Sequence, residues 1–123
     1  MTRDEILSMP AGLEMNAIVA THVMGAPEII WEKWRDGERY PVIRYCPGDD
    51  VFHPVPSYST DIAAAWQVME RLRCDWSEIH LTYTPRGWYV LLADSFTGKK
   101  VTETGRQDSA PFAICRAALL ATL

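Results

Sequence analysis

Positive charge is scarce in this chain. Twelve Lys and Arg stand against sixteen Asp and Glu over 123 residues, for a net charge of −4. Binding along phosphate backbones needs a surplus of clustered cations, so the composition argues against nucleic acid as a partner; Lys99-Lys100 is the sole adjacent basic pair. Cysteine is also sparse. Cys46, Cys74 and Cys115 are odd in number, widely spaced and form no CxxC, which gives no closed disulfide framework and fits a reducing cytoplasm. No apolar run approaches the roughly 20 residues that span a bilayer, and the start Met1-Thr2-Arg3-Asp4-Glu5 lacks the basic-then-apolar order of a signal peptide. No membrane role is expected. Catalytic contexts are missing too: His22, His53 and His80 are present, but no Gly-x-Ser-x-Gly elbow or comparable setting surrounds any nucleophile, which points to a protein that is not an enzyme.

What is present is an ordinary globular composition, 48% apolar and 23% charged, at a length that suits one domain, residues 1–123. Ser8 and Pro10 read as a helix start and Gly25 with Pro27 as its stop, giving a helix over 10–24 with Leu13, Ala17 and Met24 on one face. Residues 28–57 form an irregular insertion rich in aromatics: Trp31, Trp34, Tyr40, Tyr45 and Phe52. Within it, alternation around Trp31 and the Asp36-Gly37 dipeptide predict a hairpin, and four prolines make the remainder loop.

A second helix follows Pro56. Ser59 or Thr60 is the expected N-cap with Asp61 in the first turn, and Ile62, Ala65, Trp66, Met69 and Leu72 are the expected buried stripe. Residues 78–84 alternate, with Ile79, Leu81 and Tyr83 on one face and His80 and Thr82 on the other. Pro85-Arg86-Gly87 turns the chain into the near-continuous apolar run 88–93, and 99–104 reads as an edge strand guarded by its lysines. Ser109 caps a last helix with Pro111 in its first turn. That helix carries one charge, Arg116, and so requires burial either under the sheet or against another subunit.

Three segments taken in order carry a family resemblance: the opening 1–12, Tyr58-Ser59-Thr60-Asp61-Ile62-Ala63-Ala64-Ala65-Trp66, and Ala110-Pro111-Phe112-Ala113-Ile114-Cys115-Arg116-Ala117-Ala118-Leu119-Leu120. Together they resemble the phage ABA-sandwich domain family of small bacteriophage and prophage proteins. The resemblance implies an α+β fold, an α/β/α sandwich in which N-terminal, middle and C-terminal helices pack on a small antiparallel sheet of about three to five strands. It also implies a phage or prophage origin and a bacterial host cytoplasm. It brings no catalytic residues and no cofactor.

Three chemistries compete for the polar and aromatic residues. A metal site assembled from Cys46, Asp49, Asp50 and His53, with Cys74 or His80 added by folding, matches no zinc spacing, so no metal is expected. Ser59-Thr60-Asp61 offers an anion cradle at a helix N-terminus, although Asp61 already supplies negative charge there. Trp31, Trp34, Tyr40, Tyr45 and Tyr58 are candidates for pocket walls that stack a planar ring, or else for a cluster that packs the loop. Arg86 and Arg116 are the candidate anion partners, Arg116 having an internal carboxylate or a helix C-terminus as its alternative. The expectation is a non-enzymatic phage accessory protein. It binds or sequesters a small nucleotide-like molecule, such as a signal of bacterial immunity, and self-associates through its last helix; the alternative is an interaction module for a host or phage protein.

Overall fold

The structure is a computed structural model. It describes residues 1–123 except Arg35, Pro47, Asp49 and 103–106, and of Thr102 the backbone alone. Among the described residues four helices and six strands follow in the order α1 (Arg3–Ser8), α2 (Leu13–His22), β1 (Ile29–Lys33), β2 (Arg39–Ile43), β3 (His53–Pro54), α3 (Ile62–Leu72), β4 (Glu78–Thr84), β5 (Gly87–Ala93), β6 (Lys100–Thr102) and α4 (Ala110–Leu120). The strands make two antiparallel sheets, β1-β2-β3 and β4-β5-β6, where one sheet was expected. The α+β sandwich holds, its strands divided between the insertion and the main sheet.

Helix α4 is the centre of the molecule. Ala113, Ile114, Cys115 and Ala117 are fully buried, because β5 covers one side while α1, α2 and α3 pack around the rest. Its charge-poor sequence is thus accounted for within one chain, and the predicted cap holds: the Ser109 side chain accepts from the Phe112 N–H. Strand β5 contributes Val90 and Leu92, both fully buried, to the same core. Both faces of this element are covered to differing degrees, as its apolar run implies.

The N-terminal helix differs from its prediction. Ser8 ends α1, its hydroxyl donating to the Asp4 and Glu5 carbonyls, and α2 begins only after Gly12, whose φ of 148° is outside the range that side-chain-bearing residues favour. The break lets α1 lie on α4 and α2 turn toward β2. Helix α3 is rotated relative to its expected stripe. Ala64, Ala65, Val68 and Leu72 face the core, while Ile62 and Trp66 are 50% and 53% exposed. Alanines let α3 approach α4 closely, and that close contact leaves no room for an indole on the inner face.

The hairpin in the insertion forms as read, with Trp31 opposite Pro41 and Glu32 opposite Tyr40. Gly37, at φ 86°, makes its turn, donating from its N–H to the Trp34 carbonyl. The expected loop 47–56 contains the two-residue strand β3, paired to Val42 and Ile43. Glu28 and Arg44 clamp the hairpin base by two side-chain bonds of 2.8 and 2.9 Å. In the main sheet β4, β5 and β6 pair in the predicted order. The predicted end of the third strand, 103–104, and the start of the following loop lie outside the described residues.

Candidate functional site

Strand parity decides which aromatics meet. Trp31 and Trp34 are three residues apart and so project to opposite faces of the hairpin. Trp31 lines a groove of about 480 Å³ with Ala17, Ile18 and Thr21 of α2. Trp34 and Tyr40 line another, of about 390 Å³, with Leu13, Pro41, Val42 and Val55. The wall of rings expected around one pocket is therefore divided: of the five, Trp34 and Tyr40 share a site, while Tyr45 packs against His53.

In that groove the Trp34 and Tyr40 rings meet edge to face, with centroids 5.8 Å apart and planes at 82°. Trp34 is 56% exposed, so its face is open to solvent. Asp36 accepts from the Tyr40 hydroxyl at 3.0 Å. This hydrogen bond and the carboxylate's charge push the Tyr40 hydroxyl above its usual pKa, keeping it protonated. The second Asp36 oxygen accepts the Glu38 N–H at 2.9 Å, which fixes the carboxylate at the rim. The hairpin cations Lys33 and Arg39 are paired across the strands on the Trp31 side. The groove is thus apolar, walled by two rings, with a fixed acceptor at its edge.

The other expected site residues lie elsewhere. Tyr58 is 4% exposed and part of the core, where burial pushes its hydroxyl pKa up. Ser59 is fully buried. Its N–H and hydroxyl donate to Asn16 Oδ1 at 2.8 and 2.6 Å, and its Oγ accepts the Gly12 N–H at 2.9 Å. Neither Ser59 nor Thr60 is the N-cap of α3. Asp61 is, accepting from the Ala63 N–H, because the Ser59 hydroxyl is engaged by α2; the anion cradle is closed by these bonds. Arg86 sits exposed in the β4–β5 turn. Arg116 donates to the Leu7 carbonyl at 2.9 Å and stands 5.8 Å from the Phe112 ring centroid, which is the helix C-terminus account of this arginine. Trp88 is half-buried against the core as expected, 5.1 Å from the Tyr83 ring, whereas Trp66 belongs to the surface.

Among the described residues no three His, Cys, Asp or Glu side chains converge on a metal position. His53 instead packs edge-on against Tyr45, His80 lies 3.8 Å from Glu78, and Asp49 is outside the described residues. Sequence reasoning missed Leu13, Asp36, Pro54 and Val55 as groove residues. Asp36 was visible only as a turn former, and the others are brought in by the α2 start and β3, which no local pattern announces.

A sequence profile of the phage ABA sandwich domain matches residues 17–119. The chain belongs to this family. The match holds the α3 segment and all of the α4 segment but Leu120, while the opening segment 1–12 precedes it. Comparison of structures gives the same fold for this ABA sandwich. It is similar to a phage protein from Bacillus cereus ATCC 14579, known from a 2.0 Å crystal structure, with 24% identity, 91% of each chain covered and a TM-score of 0.62. No curated protein matches the chain. Among the described residues of this ABA sandwich, no helix is long and apolar enough to cross a membrane.

Proposed function

We propose that this phage ABA sandwich protein is a non-enzymatic binding protein whose Trp34–Tyr40 groove holds a planar ring bearing an N–H donor, of the kind a nucleobase presents. The observation that carries the reading is the exposed Trp34 face beside the fixed Asp36 carboxylate. Aromatic faces stack rings of any sequence, and a positioned acceptor at the rim selects a ring that donates. The groove volume of about 390 Å³ lies within the range of small-ligand sites. The set of anion partners is shortened by the fold: Arg86 and Arg116 are not groove residues, so recognition rests on the ring and not on a phosphate.

Trp34 fluorescence tests this directly. Titration with adenosine, cytidine and cyclic nucleotides is expected to quench the emission saturably, and Trp34→Ala or Asp36→Asn to weaken binding by about 10-fold or more, the loss of one stacked ring or one charged hydrogen bond. No saturable change with any of these ligands would overturn the reading. A second reading, a module for a host or phage protein, is favoured by the openness of the same groove and by Pro41 and Pro54 in its wall, which suit an extended peptide. A protein partner lost on Trp34→Ala with no nucleoside bound would select it.

A further inference from the structure

We propose that two copies of this chain pair through the free edge of β4, joining their main sheets into one antiparallel sheet of six strands. Among the described residues β4 is hydrogen-bonded only to β5 in its sheet, which leaves one side of its backbone without a strand partner there. It is a seven-residue strand with an unbroken register, holding no proline, no lysine and no bulge. The other sheet edges are defended: among the described residues β6 has three, the first of them Lys100 and preceded by Lys99, β3 has two and includes Pro54, and β1 ends in Glu32-Lys33.

The occupant that fits this edge is a second β4. Its sequence, Glu78-Ile79-His80-Leu81-Thr82-Tyr83-Thr84, alternates polar and apolar symmetrically about Leu81. Antiparallel pairing centred there sets Leu81 against Leu81 of the partner subunit, Ile79 against Tyr83 of the partner subunit and His80 against Thr82 of the partner subunit. Glu78 meets Thr84 of the partner subunit, so the strand's only carboxylate never opposes its own copy. A slip by one residue would place apolar side chains against the polar face, and a slip by two would shorten the ladder at both ends. The interface is isologous and closes on itself.

The flank of the strand carries the apolar area that strand pairing alone lacks. Trp66, on the exposed face of α3, and Met69, which also packs on the core, line a groove of about 510 Å³ with Trp76 and Ile79, together with the Glu70–Arg73 ion pair and Ser77. Ile79 and Tyr83 share the helix-facing side of the sheet with Val90 and Leu92. A two-fold axis perpendicular to the sheet keeps both α3 helices on that side. The exposed Trp66 and Ile62 of one copy then face those of the other across the central strands, and Tyr83, 66% exposed in one chain, gains cover. The exposure of Ile62 and Trp66, which the core does not use, is thereby explained.

Light scattering on purified protein at about 50 μM, a level that populates any dimer with a low-micromolar Kd, is expected to give twice the 13.9 kDa chain mass. The double variant His80→Lys, Thr82→Lys places cations opposite cations on the solvent side of the edge and is expected to weaken the dimer by about 100-fold or more. The double variant His80→Glu, Thr82→Glu is expected to do the same with carboxylates. Both changes leave the core face untouched, and circular dichroism checks that each variant is folded. Mixing the two monomeric variants restores a heterodimer in the Leu81-centred register, because each lysine then meets a glutamate. A monomeric wild type, a dimer that survives the lysine pair, or folded variants that fail to recombine overturns the proposal.

Discussion

The buried polar link between Ser59 and Asn16 shows why a residue that reads as a cap becomes a tether. Asn16 is 2% exposed and its Oδ1 accepts both Ser59 donors, so a single oxygen joins the start of α2 to the entrance of α3. Removing that acceptor leaves the Ser59 N–H buried and unpaired. Asn16→Ala is therefore expected to lower stability by about 1–3 kcal/mol, against less than about 0.5 for Thr60→Ala at the exposed neighbour. Urea unfolding of the two variants measures the difference. Cys115 offers a second test at this scale. Burial pushes its thiol from the ordinary 9.0 to about 12, whereas Cys46 and Cys74 are exposed. The folded protein keeps the Cys115 proton after the unfolded chain has lost its own. Its contribution is thus complete below pH 9 and is lost progressively as pH rises toward 12. A thiol reagent at neutral pH is expected to modify Cys46 and Cys74 in the native state and Cys115 only on unfolding, as mass spectrometry would show.

At the scale of the element, the spacing of apolar residues in α3 admits two stripes, and sequence pattern alone favoured the larger side chains. Packing against α4 selected the smaller set: Ala64, Ala65, Val68 and Leu72 allow a close helix pair that Trp66 would hold apart. Leu72→Ala is expected to cost about 2–5 kcal/mol, and Trp66→Ser less than about 1. Equal losses in denaturant unfolding would return Trp66 to the core. The elements whose caps and turns were explicit were legible: Ser109 and Pro111 for α4, Asp36-Gly37 for the β1–β2 hairpin, and the alternation of β4. The split between α1 and α2 was hidden because Gly12 acts through a long-range contact to Ser59, and β3 because two residues carry no pattern. The candidate site suffered most. Trp31, Trp34 and Tyr40 are near in sequence, and only the β1–β2 register reveals that the first points away from the other two.

Across the whole molecule, stability and binding are carried by different parts. Helix α4 touches β5, β6 and each of the other helices, so exposing its amides requires taking apart the core. The β1-β2-β3 sheet has a narrower attachment: β2 buries Val42 and Ile43 and contacts α2, and Ile29 and Val55 reach the core from its margins. Its outer features, Trp34, Tyr45 and Phe52, are exposed, and the groove of Trp34 and Tyr40 sits there. Few buried contacts and solvent-exposed backbone bonds are the conditions for local opening at a fraction of the global free energy. Native-state hydrogen exchange is therefore expected to divide the chain in two. Amides of α4 and β5 exchange with the denaturant dependence of global unfolding, while those of β1 and β2 exchange earlier with little dependence. A ligand seated in the Trp34–Tyr40 groove slows the second class by the factor 1 + [L]/Kd that linkage sets and leaves the local opening of other elements unaltered. Uniform protection across both sheets would show instead that the hairpin is part of the central cooperative unit, and the groove would then be as rigid as the core beneath it.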